Sequence, residues 1–295
     1  MIFTEIPEKD LLEYQKSVSD DVDLLPIYHS IDSELKHIFP LANAYFYKAI
    51  IDIQTIHIIV RVNRFVCPIV IFSCSKNLSL TDEQYIQVFK AFADTAKIIS
   101  LDDDIQIRAP DFLLNVFNTW RAQNYKNAPT RNVPVYLCYM NKEQIELAKN
   151  FQFNLPDGYS FCDEITPSDA LSINSKWKNA REGDDKQTAA KLTHMPFGCI
   201  KFKDVPVSWI VNDPAGTLTQ LFTEPDHRRQ GLGLAVEMKA CKNIISINRV
   251  PFKLIEQTNT AFFDSANNRK YWSCYNYDNG DHIDLYITVP LSRYN

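Results

Sequence analysis

The chain has 295 residues, about twice the usual domain length of roughly 150, so two domains or two packed halves are expected. Hydrophobic residues make up 45%, aromatic 12% and charged 23%, which excludes an intrinsically disordered chain and supplies enough apolar material for a sizeable core. With 31 basic against 36 acidic residues the net charge is −5, so nucleic acid, whose binding rests on neutralising phosphates, is not an expected partner.

The seven cysteines contain no C-x-x-C and the six histidines no H-x-x-x-H. Buried thiols in a reducing compartment are therefore expected, and a metal site is not. The start, MIFTEIPEKDLLEYQ, lacks the basic, apolar pattern of a secretory leader and the Arg-rich character of a transit peptide. A cytoplasmic protein is expected, with a mitochondrial one left open. Asp52, His57, Arg61 and Arg64 interrupt the apolar stretch from Ile50 to Cys74, so no membrane helix is expected there.

Along the first half, Ile56 to Val62 and Pro68 to Cys74 read as strands. Asp82 to Lys97 and Asp111 to Gln123 carry apolar residues at helical spacing, and Val133 to Met140 is strand-like again. Asn141 caps a short helix, and the turn cluster Leu155-Pro156-Asp157-Gly158 marks the expected domain boundary, giving domains 1–154 and 155–295. The second half reads as strand Tyr159 to Ile165, helices Ser168 to Lys178 and Asp184 to His194, then strands Phe197 to Phe202, Val205 to Asn212 and Thr217 to Thr223. A helix from Gly231 to about Ile247, strand Phe252 to Glu256, helix Asn259 to Trp272 and strand His282 to Val289 complete it. That order is an α/β arrangement around one mixed sheet.

The stretch between Thr217 and Lys242 carries the chemistry. Arg228-Arg229-Gln230-Gly231-Leu232-Gly233 joins a strand to a helix. Glycines there let a ligand approach the main chain, and the unpaired N–H groups of a first helical turn favour an anion. Arg228 and Arg229 add charge-assisted contacts suited to phosphate. The spacing is neither the phosphate-loop G-x-x-x-x-G-K-[ST] nor the three-glycine dinucleotide fingerprint.

At these residues the sequence resembles the GNAT acyl-coenzyme A transferases, whose pyrophosphate loop reads (Arg/Gln)-x-x-Gly-x-(Gly/Ala). Arg228, Gly231 and Gly233 match every fixed position. Pro206-Val207-Ser208-Trp209, Thr223 with Pro225, Ile173-Asn174-Ser175-Lys176-Trp177 and Thr258-Asn259-Thr260-Ala261 are similar to segments of the glycine N-acyltransferase-like branch, in order. The likeness covers about residues 155 to 290. It implies a GNAT-like mixed sheet flanked by helices in the C-terminal half, with an α/β, degenerate GNAT-like N-terminal half. It further implies acyl-coenzyme A as co-substrate, a small-molecule amine as acceptor, and no membrane partner. Cofactor contacts are carried over to Leu221, Phe222 and Thr223, to Arg228, Arg229, Gln230, Gly231, Leu232, Gly233 and Leu234, and to Asn259.

The same resemblance implies that the strand 217–223 splays from the next one, leaving the Leu221 N–H to stabilise the oxyanion. Read without it, that strand is fully paired and Asn259 is a helix N-cap. Attack by an amine also needs a base, and the family's glutamate position is occupied here by Thr217. Glu256 is the first substitute, ahead of Glu224, Asp213 and His227. Trp177, Trp209 and the aromatic group Tyr271, Trp272, Tyr275 and Tyr277 are expected to pack, and Asn174 to be exposed. Lys176 and Lys178 are candidate partners for an acceptor carboxylate. The function implied is N-acyl transfer to an acceptor such as glycine or another amino acid. The alternatives are a non-catalytic acyl-coenzyme A binding module and a protein N-acetyltransferase.

Overall fold

In the computed structural model the described residues are 1–19, 21–126, 130–177, 180, 183–260, 263 and 270–291. The chain packs into two compact units. The first holds Met1–Leu137, Glu256–Thr258 and Tyr275–Asn295; the second holds Cys138–Ile255 and Asn259–Cys274.

The first unit contains β1 (Ile2–Ile6), α1 (Leu11–Ser17), α2 (Leu25–Leu35), β2 (Ala42–Ile51), β3 (Gln54–Asn63), β4 (Ile69–Cys74), α3 (Asp82–Thr95), β5 (Gln106–Pro110) and α4 (Asp111–Asn124). It also holds most of β6 (Thr130–Tyr139). β1 to β4 pair antiparallel in succession, and β4 pairs parallel with β5. One sheet face carries Tyr47, Ile58, Val60 and Phe72, which bury with Phe89 and Phe92 of α3 and Phe117 of α4. The other face meets α1 and α2, where Arg61 donates to Ser30 Oγ at 3.2 Å and Tyr14 meets His57.

The second unit contains α5 (Lys142–Lys149), β7 (Tyr159–Phe161), α6 (Pro167–Ser175), α7 (Asp184–His194), β8 (Phe197–Phe202), β9 (Val205–Asn212) and β10 (Thr217–Thr223). α8 (Leu232–Ser246), β11 (Phe252–Glu256) and β12 (Ser273–Cys274) follow. β7 to β10 pair antiparallel and β10 pairs parallel with β11. α8 and α5 bury against one face with Ile200, Val207, Ile210 and Leu218; Ala170 and Ile173 of α6 and Leu192 of α7 cover Cys199, Trp209 and Val211 on the other. Only glycine fits at Gly198, where a Cβ would lie 2.1 Å from the Val236 carbonyl oxygen of α8.

Strands and helices of the second half fall where hydrophobic periodicity puts them. The expected strand bounds Phe197–Phe202, Val205–Asn212 and Thr217–Thr223 are met to the residue. β7 and α6 end earlier than expected, at Phe161 and Ser175. The helix expected over Asn259 to Trp272 falls mostly outside the described residues. The units divide at Leu137 and Cys138, and the turn near Leu155 lies within the second unit. The reason is packing: Phe151, Phe153 and Leu155 join the apolar cluster of α8, and Lys242 Nζ donates to the Phe151 carbonyl at 2.8 Å. The last strand, β13 (Leu285–Pro290), pairs with β5 and β6 of the first unit rather than closing the C-terminal sheet. Cys74, Cys138, Cys199 and Cys241 are buried, whereas Cys67, Cys162 and Cys274 are only half-buried.

Candidate functional site

β10 is interrupted by a bulge. Its register with β9 shifts between Thr219 and Phe222, so Gln220 and Leu221 together face one residue of β9. Gln220 takes φ +56° to make this bulge, which bends the strand. On the opposite edge only Thr217 and Leu218 pair with β11, at Phe252 and Lys253. Past Leu218 the two parallel strands part. The sequence-based expectation of an opened strand is met in this geometry, and the bulge that opens it is a feature the sequence did not mark.

The direction of the main-chain groups follows from alternation. Glu224 N–H donates to the Val207 carbonyl at 2.8 Å, so Glu224 and Phe222 turn their main-chain groups toward β9. Thr223 and Leu221 therefore turn theirs toward the parted edge. Side chains hold this edge still. Ser208 Oγ lies 2.8 Å from Thr223 Oγ1 and donates to the Phe222 carbonyl at 3.2 Å, and Phe222 stacks on buried Trp209 with ring centroids 5.0 Å apart.

The turn after β10 delivers the chain into α8. Arg228 Nε donates to the Thr223 carbonyl at 2.9 Å, and its guanidinium carbon lies 5.7 Å from the Phe222 ring centre. Its Nη groups stay exposed, with Arg229, Gln230 and Gly231 beside them. Arg229 and Gly231 take φ +63° and +79°. α8 starts after Gly231 with no side-chain cap, so the N–H groups of Leu232, Gly233 and Leu234 face the turn without an internal acceptor. Leu232 is buried, Leu234 exposed and Gly233 half-buried. A Cβ on Gly233 would sit 3.5 Å from Thr223 Oγ1, while one on Gly231 would meet open space. The result is a donor-rich edge with two arginines, Glu224 and Asp226 being the carboxylates between Thr223 and Leu234.

Residues 203–276 match the family described as FR47-like protein. That span runs from β9 through the bulged strand, the turn and α8. An X-ray structure of a Drosophila protein superposes with TM-score 0.73 at 14% identity, covering 98% of each chain. A tandem GNAT protein from the clavulanic acid biosynthesis pathway gives 0.51 at 8% identity, covering 97% of each chain. A GNAT-family structure from Novosphingobium aromaticivorans gives 0.51 at 11%, covering 92% of this chain and 99% of that one. The fold is GNAT-like, in tandem halves. No curated protein sequence is similar enough to this chain to count as a relative.

Within this GNAT-like fold the base candidates are dispersed or engaged. Thr217 is buried at the start of β10. Glu224 pairs with Lys176 at 3.1 Å, which also occupies one of the two lysines considered for an acceptor carboxylate; Lys178 lies outside the described residues. Buried Asp213 accepts from the N–H groups of Ala215 and Thr217 at 2.9 and 3.1 Å, so it shapes the β9–β10 turn. His227 Nδ1 lies 2.7 Å from Tyr159 Oη. Glu256 ends β11, half-buried, and packs with the first unit. Asn259 is exposed and its carbonyl accepts from Phe263 N–H at 3.0 Å, an N-cap position.

Asn174, expected to be exposed, is buried and accepts from Thr188 Oγ1 at 2.8 Å, tying α6 to α7. Asp169 of α6 likewise accepts from Lys201 Nζ of β8 at 2.7 Å, a bond that raises the Lys201 ammonium above its usual range. Trp209 and Trp272 are buried as expected, and Trp177 is half-buried. None of the described helices is long and apolar enough to cross a membrane.

Proposed function

We propose that the C-terminal unit binds acyl-coenzyme A and transfers its acyl group to the amine of a small acceptor, such as glycine or another amino acid. The observation that carries this reading is the parted edge of β10 running directly into the uncapped start of α8 at Gly231. The residues suit the co-substrate. The N–H groups of Gly231 to Leu234 and the Arg228 and Arg229 side chains take the pyrophosphate. Thr223 takes the pantetheine arm on the open edge, with Phe222 behind it stacked on Trp209, and Asn259 takes the thiol end. The Leu221 N–H takes the thioester oxygen, where negative charge builds as the amine attacks.

Transfer is direct, in a ternary complex: the amine nitrogen bonds the acyl carbon, the carbon–sulfur bond breaks, and the proton that the nitrogen sheds in becoming an amide ends on the sulfur, so coenzyme A leaves as the thiol. The ammonium proton must first leave, and Glu256 is the group we assign to it, directly or through water. A second reading has its own support, because Glu224, Asp213 and His227 are each engaged by a neighbour. It is a module that binds acyl-coenzyme A without turning it over. A thiol-release assay with an acyl donor panel, free amino acids and peptides separates the cases. Release driven by amino acids supports transfer to a small amine, release driven only by peptides supports protein acetylation, and calorimetric binding without release supports the module. Glu256→Gln should lower turnover at least tenfold; full activity across pH removes Glu256 from the role.

A further inference from the structure

The first unit holds a cleft of about 640 Å³ that the acyl transfer reading does not use. Its floor is bare sheet. Lys48 pairs with His57 and Ile50 with Thr55 across the β2–β3 ladder, so these four side chains share one face. α1 covers part of that face and stops short of the hairpin. Tyr14 of α1 and Asp21 beyond it form one wall, and Leu78 and Ser79 form the other. That second wall is fixed, since Gln54 donates to the Ser79 carbonyl at 2.9 Å and accepts from Ser79 N–H at 2.7 Å.

The polar end of the cleft has a defined donor set. Tyr14 Oη lies 2.6 Å from His57 Nδ1, and burial raises the Tyr14 phenol far above its usual range, so the phenol stays protonated and donates. Burial, with Lys48 nearby, lowers His57 from 6.5 to about 4. The imidazole is therefore neutral at physiological pH, and with Nδ1 accepting, its proton sits on Nε2. Nε2 has no hydrogen-bond partner among the described residues. Lys48 forms no ion pair among the described residues. One cation and one fixed N–H donor thus stand side by side on the same floor. Leu24, Ile50, Leu78 and Ile53 supply an apolar part of the lining, with Ile50 and Leu78 half-buried and Ile53 98% exposed at the hairpin tip, beside polar residues such as Ser17, Thr55 and Asn77.

We propose that this cleft is a binding site for a small organic carboxylate with an apolar body, its carboxylate held by Lys48 Nζ and His57 Nε2–H. The single ammonium matches a single negative charge, and Asp21 on the rim opposes a dianion. A hydrocarbon body covers Ile50, Leu78 and Ile53, which otherwise face water. The site lies within the first unit, so it stands or falls independently of acyl-coenzyme A binding.

Calorimetric titration of the full-length chain with hexanoate tests it, with 1-hexanol and inorganic phosphate as companions. Hexanoate should saturate one site with a Kd below about 1 mM, Lys48→Met should weaken it at least tenfold, and hexanol and phosphate should bind at least tenfold more weakly. Tyr14→Phe, which frees the His57 tautomer, should weaken binding several-fold while circular dichroism shows an intact fold. Equal binding of hexanol reduces the cleft to an apolar patch. Equal binding of phosphate makes it a generic anion site. Either result, the absence of saturation, or an unchanged Lys48→Met overturns the proposal. Should Lys48→Met fail to fold, Lys48→Gln serves the same comparison.

Discussion

Two strand–helix junctions in this chain share a topology and differ in chemistry. β4 lies antiparallel to β3, leads into α3 and pairs parallel with β5; β10 lies antiparallel to β9, leads into α8 and pairs parallel with β11. In the first unit the ladder from β4 to β3 runs without a register shift. There α3 closes its own N-terminus: Thr81 accepts from Gln84 N–H at 3.3 Å, while Gln84 Oε1 accepts from Thr81 N–H at 2.9 Å. In the second unit the strand bulges at Gln220, leaves β11 after Leu218, and α8 begins at Gly231 with no side-chain cap. The same scaffold therefore yields a sealed helix end or one whose first-turn N–H groups are left open, and the cap decides which.

The open junction depends on α8 and β11 being held where they are. Lys253, the last β11 residue paired with β10, donates to Glu237 of α8 at 2.7 Å. Trp272 Nε1 donates to the other Glu237 oxygen at 3.3 Å. Both charges are buried. Glu237→Ala breaks a buried ion pair by removing its carboxylate and should cost about 3–5 kcal/mol, the largest effect expected here, read from urea unfolding. A loss under about 1 kcal/mol would mean that water replaces the carboxylate and the pair does not fix the junction.

Gly231→Val places a β-branched residue at φ +79° beside the anion-facing N–H groups, a conformation such side chains rarely adopt. Coenzyme A affinity should fall on the order of 100-fold, about 2.7 kcal/mol. The double change Arg228→Glu and Arg229→Glu should do the same by reversing the charge beside these N–H groups. Unchanged affinity in folded variants of both kinds would erase the functional contrast between the two junctions.

How much of this was legible differs between the halves. Val205–Asn212 and Thr217–Thr223 read as strands because β-branched, aromatic and apolar residues run between turn residues; in the fold β9 is buried along almost its whole length, between α8 on one side and α6 and α7 on the other. The loop was legible because Gly231 and Gly233 are rare in a chain with seven glycines. The bulge was not, since Gln220 carries no residue-type signal for positive φ. In the first half β2 escaped notice because Lys48 and the tyrosines Tyr45 and Tyr47 blur its alternation. Its partner β3 is buried on both faces, so it reads as a continuous apolar run. β13 was found, but its place between β5 and β6 was not, because strand pairing across the chain leaves no local mark.

The first unit has its own pH signature. His57 takes up its proton near 6.5 in the unfolded chain and only at about 4 when folded. Facing it are Tyr14 from α1 and Lys48 from β2. Between those pH values the unfolded chain binds more protons, so this contribution to stability is complete above about pH 6.5 and is lost as the pH falls toward 4. The expected loss by pH 5 is about 1–2 kcal/mol, read as a falling urea midpoint. His57→Gln should flatten that slope; a slope of the same size in the variant would assign it to carboxylates instead.

The smallest effect sharpens the contrast most directly. Thr81→Ala removes the side chain that accepts from Gln84 N–H and should cost about 1 kcal/mol of stability, with coenzyme A affinity unchanged. The sealed end then exposes its first-turn N–H groups much as α8 does, yet it lacks the arginines and the parted strand. If opening the cap alone created measurable coenzyme A or phosphate affinity at α3, the helix end would be sufficient and the bulged strand would be incidental. If it does not, anion capture at α8 needs all three elements together: an uncapped helix, the Arg228–Arg229 pair, and a strand whose main-chain groups at Leu221 and Thr223 face the parted edge.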